Sequence, residues 1–223
     1  MFKAIIIGGT GATGKQLLIQ LIRNQNCELV TSIGRRPVLD GEINDKLVDI
    51  AVESLFKLTD TKKYWKDNDV FFNCIGTTRQ RAGGAKEFIN IEAGISNEAA
   101  KMAANAKIPH ASLISAKGAN HKIWAKDWIH PLLYMKTIGQ KEQTIISNFS
   151  FNSVSIFKPG MLIRLQGKQT WFEDFSELKG FGLRVDTLAS AMIHDAERVR
   201  HGLAGKSPQY FIGNNDIKSS LEL

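Results

Sequence analysis

Short apolar runs alternate with stretches of helical periodicity along most of the chain. Lys3 to Ile7 reads as a first strand. Gly14 to Arg23 follows at helical spacing, with Leu17, Leu18, Leu21 and Ile22 on one face. Glu28 to Ile33 is a second strand, Lys46 to Ile50 a shorter third, and the lysine-rich stretch from Thr61 to Lys66 a helical turn with a solvated face. Asp69 to Ile75 is almost wholly apolar, as a central parallel strand buried on both faces should be. Ala85 to Ala106 is a long alanine-rich helix that stops before Pro109. His110 to Ser115 is the fifth strand, and His130 to Asn148 a helix with Pro131 suited to its first turn. Ser153 to Phe157 is the sixth strand, closed by Pro159-Gly160; Val185 to Val199 is a last helix, and Tyr210 to Ile212 a short final strand. Strand and helix in this alternation predict an α/β fold, a doubly wound parallel sheet. No repeat, linker or low-complexity block interrupts it, so residues 1–223 are expected to form one domain with a small C-terminal pocket region.

Composition changes that picture little. The chain has 223 residues, 43% hydrophobic and 23% charged, an ordinary globular balance. No apolar run approaches the roughly 20 residues that a membrane span needs. The opening run to Ile7 flows straight into a glycine motif and reads as a buried strand. Cys27 and Cys74 sit in apolar segments with no Cys-x-x-Cys pattern, which suits reduced thiols in a cytosolic protein. The histidines at 110, 121, 130, 194 and 201 show no metal-ligand spacing. A net charge of +7 attracts anions, but the basic residues are scattered and not interleaved with aromatics, so no nucleic-acid partner is expected.

The chemistry concentrates at the first strand-to-helix turn. Gly8, Gly11 and Gly14 stand at Gly-x-x-Gly-x-x-Gly spacing, with Thr10, Ala12 and Thr13 between them. The first glycine permits a tight turn, the second lets the backbone approach a pyrophosphate, and the third lets the helix pack on the strand. The pyrophosphate then sits on the helix N-terminus. Gly9 to Lys15 also fits Gly-x-x-x-x-Gly-Lys, the triphosphate loop, but Gln16 stands where that motif needs Ser or Thr, so ATP is the lesser reading. The cofactor is chosen at the end of the second strand. An acid there bonds the ribose 2′-hydroxyl of NAD; here the segment is Ser32-Ile33-Gly34-Arg35-Arg36. Two guanidiniums suit a 2′-phosphate, which favours NADPH over NADH. Asp49 and Ile50, ending the third strand, are placed to meet the adenine, while Asp49 equally reads as an ordinary strand-end residue.

The loop Gly-Gly-Thr-Gly-Ala-Thr-Gly, the Ile-Gly-Arg-Arg turn and the strand end Asn73-Cys74-Ile75-Gly76-Thr77-Thr78-Arg79 resemble the atypical short-chain dehydrogenases/reductases with a Rossmann fold, and among them the Tat-interacting protein oxidoreductases. Ala82-Gly83, Ser115-Ala116-Lys117-Gly118-Ala119 and Phe157-Lys158-Pro159-Gly160 extend the resemblance over almost the whole chain, from Phe2 to Asp216. The resemblance implies a cytoplasmic protein, also nuclear, that binds NADPH and is linked to transcription and nuclear transport. It implies that Cys74, Ile75, Gly76 and Thr77 line the cofactor groove and that Pro159 and Gly160 lie near the nicotinamide. Its partner is then a small carbonyl substrate of unknown identity or a protein, and its state a monomer or a homodimer.

Short-chain reductases act through a serine, a tyrosine and a lysine four residues after the tyrosine. Ser115 and Tyr134 stand where the first two belong; both hydroxyls also read as ribose or core hydrogen-bonding groups. The lysine position holds Ile138. Lys136 lies about 200° round the helix from Tyr134, and Lys141 on nearly the same face but about 10 Å further along the axis, a gap it covers only in part. Two functions follow: a slow NADPH-dependent oxidoreductase with an incomplete triad, or a non-catalytic NADPH-sensing interaction protein. Of the remaining aromatics, Trp124 and Trp128 are expected to pack a loop lid, and Trp171 and Phe172 to open a lid or core segment from Thr170 to Leu178.

Overall fold

The computed structural model describes every residue except 42, 166–181, 204 and 223. β1 (Phe2–Ile7), β2 (Cys27–Gly34), β3 (Leu47–Ala51), β4 (Val70–Asn73), β5 (His110–Ile114), β6 (Ser153–Lys158) and the late strand β9 (Gln209–Ile212) form a seven-stranded sheet in the order β3-β2-β1-β4-β5-β6-β9. Every pairing in it is parallel. The chain lays β2 and β3 to one side of β1 and β4, β5, β6 and β9 to the other. The direction of winding therefore reverses between β1 and β4, which opens a crevice at their C-terminal ends.

Side-chain alternation along the strands divides the core into two layers. On β1, Ala4 and Ile6 face one layer while Ile5 and Ile7 face the other; on β4, Phe72 and Phe71 divide in the same way. The first layer is covered by α1 (Ala12–Arg23) through Leu17, Leu18 and Leu21, and by α6 (Val185–Arg200) through Leu188 and Met192. The second is covered by α4 (Ser96–Asn105) through Ala99 and Ala103, and by α5 (His130–Ser147) through Ile145. Residues buried on both faces explain the near-continuous apolar strands of the sequence.

The expected elements are present, with refinements that bear on the site. The alanine-rich helix begins as α3 (Ala85–Ile89) and passes through a π-helical stretch, Asn90–Ile95, before continuing as α4. Such wide turns re-aim side chains and occur frequently at functional sites. Thr59–Tyr64 is a 3₁₀ helix. Sequence periodicity missed the short α2 (Arg79–Ala82), the final α7 (Gly213–Ser219) and the parallel pair β7 (Met161–Ile163) with β8 (Gly182–Arg184). Trp124 and Trp128 pack no lid: they are 64% and 72% exposed. The segment expected to hold Trp171 and Phe172 lies outside the described residues.

Candidate functional site

The crevice at the β1/β4 switch holds two adjoining cavities of about 590 and 340 Å³ that share the glycine turn, Arg36 and the stretch from Cys74 to Thr77. Their shape is set by backbone. Gly8 has φ +89, and a Cβ there would stand 2.6 Å from the Cys74 carbonyl oxygen. A Cβ at Gly14 would stand 2.9 Å from the Gly8 carbonyl carbon and 3.0 Å from Gly9 Cα. Glycine at both positions therefore lets β1, the turn, α1 and the end of β4 meet without side chains between them. Gly11 caps α1, whose first internal bond runs from the Lys15 amide to the Gly11 carbonyl at 2.8 Å. The preceding amides of the first turn have no helical acceptor and face the groove at Ala12 and Thr13. This cradle, with Arg35 and Arg36 exposed at its rim, fits a dinucleotide pyrophosphate.

The smaller cavity adds Ser115, Tyr134, Ile138 and Lys141 to the turn. Ser115 follows β5, and Tyr134 sits in the second turn of α5 with its ring stacked on Phe88, centroids 5.9 Å apart. Burial lifts the Tyr134 phenol above its ordinary value; the Glu92 carboxylate adds to the lift and the Arg164 guanidinium opposes it. The Ser115 hydroxyl donates to the Glu142 carboxylate. Glu142 is ion-paired with Lys158 at 2.8 Å, and Lys158 Nζ also donates to the Ala119 carbonyl at 3.0 Å. Beside this network lies a second one. The Thr77 amide donates to Glu92 Oε1 at 2.6 Å, and Lys141 Nζ bonds Glu92 Oε2 at 3.3 Å and the Ile75 carbonyl at 2.7 Å.

Most of the residues expected in the site therefore meet in one groove: Gly8, Thr10, Gly11, Ala12, Thr13, Arg35, Arg36, Cys74, Ile75, Gly76, Thr77, Ser115 and Tyr134. Five do not. Gly14 lies beneath the turn and serves the packing of α1. Asp49 turns to its own side of the sheet, where it accepts the Val38 amide at 2.9 Å, and Ile50 packs on the second core layer. Pro159 gives its carbonyl to the Lys117 amide, and Gly160 donates to Asn214 Oδ1 at 2.9 Å; neither lines the groove. Lys141 corrects the helix arithmetic. Its ammonium does reach the groove, because the turn after β4 comes to meet it at Ile75.

Sequence reasoning missed Glu92 as a site residue, together with the Glu142–Lys158 pair and Arg164. Glu92 carried one signal, an acid four residues after Phe88 on the apolar face of its helix. Burial of Cys74 against the first core layer pushes its thiol up to about 12, with Lys141 opposing, so the thiol is protonated at neutral pH.

A parallel sheet with a glycine turn at its switch point and a cationic rim defines a dinucleotide-binding Rossmann protein. No family model matches the chain. It is 35% identical over 164 residues to protein FMP52-1, mitochondrial, of Scheffersomyces stipitis, covering 72% of this chain and 67% of that protein. Protein FMP52, mitochondrial, of Debaryomyces hansenii is 36% identical over 161 residues, covering 72% of this chain and 66% of that protein. Rat protein HTATIP2 is 31% identical over 158 residues, covering 71% of this chain and 62% of that protein. The chain thus spans about two thirds of the length of these relatives. Among solved structures, the oxidoreductase ylbE from Lactococcus lactis superposes with a TM-score of 0.68 at 15% identity, over 99% of this chain and 95% of that one. The dTDP-glucose 4,6-dehydratase DesIV from Streptomyces venezuelae, solved with NAD, gives 0.69 at 13% identity, over 98% and 80%. At such identities the likeness is one of fold.

The chain belongs to the atypical short-chain dehydrogenase/reductase family, in the group that contains FMP52 and HTATIP2. The same relatives overturn the expectation of a cytosolic or nuclear protein, because the FMP52 proteins are named as mitochondrial. Among the described residues no helix is long and apolar enough to cross a membrane.

Proposed function

We propose that this chain is a slow NADPH-dependent reductase of a small carbonyl substrate, with Tyr134 as the proton donor. The observation that carries the reading is that Tyr134, the glycine turn and Arg36 line one continuous groove. Arg36, in place of an acid, is the reason for choosing NADPH over NAD. The first-turn amides of α1 would take the pyrophosphate, and Arg36 with Arg35 the 2′-phosphate. NADPH, when bound, supplies the hydride.

Tyr134 supplies the proton. Its phenol is lifted above the ordinary value of about 10, so it is fully protonated at neutral pH and suited to donate. The same lift makes the phenolate scarce, which disfavours the reverse oxidation and keeps the rate low. Phe88 beneath the ring and the core around Ile138 hold the phenol in one orientation. The test is Tyr134→Phe. NADPH affinity by calorimetry should be unchanged, and turnover of a panel of aldehydes and ketones should fall by about 100-fold or more. Equal turnover in wild type and variant overturns the role of Tyr134.

One observation favours the second reading, a cofactor-sensing protein without turnover. The Ser115 hydrogen is committed to Glu142 and does not point to a substrate carbonyl. NADPH binding with no turnover on any carbonyl of the panel would favour that function.

A further inference from the structure

The cations of the groove outnumber its acids, and one of them stands apart from the glycine turn. Arg36, Arg81, Lys141 and Arg164 line the smaller cavity, and Glu92 is its one acid among the described residues. Lys141 is matched to that acid at 3.3 Å. Arg36 and Arg81 also line the larger cavity, beside the glycine turn, so they belong to the part of the groove that suits a cofactor's phosphates. Arg164 follows β7 and lines the smaller cavity alone, with Ser115, Tyr134, Leu162 and Val185, none of which reaches the larger one. Among the described residues no carboxylate pairs with it. Its guanidinium nevertheless faces inward: of the four cations, Arg164 is the one that opposes the lift of the Tyr134 phenol.

The other polar groups at this end are committed. Ser115 gives its hydrogen to Glu142, and Glu92 takes the Thr77 amide and Lys141. The Tyr134 hydroxyl and the Arg164 guanidinium remain as donors toward the cavity, between the apolar walls of Ile114, Leu162 and Val185. The phenol serves the carbonyl oxygen in the reading above. The guanidinium offers a planar fork, which a carboxylate matches with two parallel bonds. A neutral substrate would displace water from that fork without replacing its hydrogen bonds, a cost that selects against it. We propose that Arg164 is a specificity-determining residue that binds a carboxylate, so that the substrate is an oxo acid, an aldehyde or ketone held by its acid group while its carbonyl meets Tyr134. The proposal rests on the reductase reading above. In the reaction the carbonyl carbon takes the hydride of NADPH and the carbonyl oxygen takes the Tyr134 proton. The products are a hydroxy acid and NADP⁺, and the carboxylate is unchanged.

The test uses matched pairs in which charge changes and shape does not: pyruvate with pyruvamide, levulinate with levulinamide, and para-carboxybenzaldehyde with para-carbamoylbenzaldehyde. Each is titrated calorimetrically into the chain loaded with NADP⁺, which has no hydride to give, so binding is read without turnover. In wild type at least one acid should bind about tenfold more tightly than its amide. In Arg164→Gln, a change at an exposed position, the preference should fall to about twofold or less, with NADP⁺ affinity unchanged. Arg81→Gln, at the other exposed arginine unassigned to the rim, should keep it. Wild type that prefers no acid, or a preference that survives Arg164→Gln, overturns the proposal. So does a loss of NADP⁺ affinity in Arg164→Gln as large as the loss for the acid, because the guanidinium would then serve the cofactor. Turnover with NADPH separates the two readings. Arg164-dependent binding of an acid that is never reduced supports the carboxylate site and removes the reductase; reduction of the amides as fast as the acids keeps the reductase and removes the carboxylate site. Should NADP⁺ not bind, the dinucleotide reading fails by itself, and the same titrations on the free chain decide the role of Arg164.

Discussion

The two ends of the groove are built from different materials. At the glycine-turn end the walls are backbone: the carbonyls and amides of Gly8 to Thr13, brought together because glycine leaves no Cβ between strand, turn and helix. At the tyrosine end they are side chains. Glu92, Lys141, Glu142 and Lys158 are all buried there, and they come from a π-helical turn, from α5 and from β6. A wall of backbone is specified within one short stretch of sequence. A wall of paired charges is specified only when distant segments fold together, and each partner left alone is a liability. The first kind of site tolerates change around it; the second depends on every partner being present.

The largest expected effect tests whether backbone contact also holds the tyrosine end. Gly139 of α5 is pressed against the loop after Ser115, so that a Cβ there would stand 2.7 Å from Asn120 Cα. The same loop is tied to the helix by the Asn120 amide, which donates to the Met135 carbonyl at 3.1 Å. Alanine in a helix is better than glycine by about 1 kcal/mol. Overpacking against backbone costs up to about 3 kcal/mol, and backbone cannot rotate away. The clash should win at Gly139 and at Gly14, each Gly→Ala variant losing about 2 kcal/mol, which is roughly 4–8 °C in Tm. Gly14→Ala should also abolish NADPH binding, whereas Gly139→Ala should lower turnover with NADPH affinity retained. Gly139→Ala as stable as wild type would confine the backbone-built contacts to one end.

This contrast also explains what could be read in the chain before its structure. The glycine spacing and the Arg35-Arg36 turn were legible because their geometry is local, and the strands because burial on both faces leaves continuous apolar runs. Glu92 was hidden in an alanine-rich helix, since a π turn is set by packing and leaves no periodic mark. Lys141 was placed on the right helix face but judged too distant, because helix arithmetic does not include a turn after β4 that approaches it. Asp49 shows the opposite case: its position at a strand end suggested a ligand contact, and one of its oxygens accepts the nearby Val38 amide, which no strand periodicity reveals.

A smaller effect separates the two rim arginines. Arg36 lines both cavities, Arg35 only the larger. Both are exposed, so solvent screens them and the contribution of each is modest. Arg36→Gln should weaken NADPH by about tenfold and leave NADH unchanged, while Arg35→Gln should cost about twofold. Both losses should shrink as salt rises. Calorimetry at two salt concentrations makes the comparison. Equal losses for NADH would mean that Arg36 acts on the pyrophosphate or the turn, and the preference for a 2′-phosphate would lose its basis.

The smallest effect is in pH, and it belongs to the tyrosine end alone. The Tyr134 phenol is raised, first by burial and then by Glu92. A group whose folded value lies above its unfolded one gives stability that is complete below the unfolded value, about 10 for tyrosine, and is lost as pH climbs through the folded value. Between about pH 9 and 11, denaturant titrations of wild type should therefore show a steeper loss of stability than Tyr134→Phe, the other titrating groups cancelling in the difference. Reduction by wild type should stay flat from neutral pH past the ordinary phenol value of about 10 and fall only above it. NADPH affinity should not follow this phenol, because the turn and the rim arginines lie at the other end of the groove. A parallel pH dependence of affinity and turnover, absent in Tyr134→Phe, would couple the phenol to cofactor binding and end the separation of the two ends.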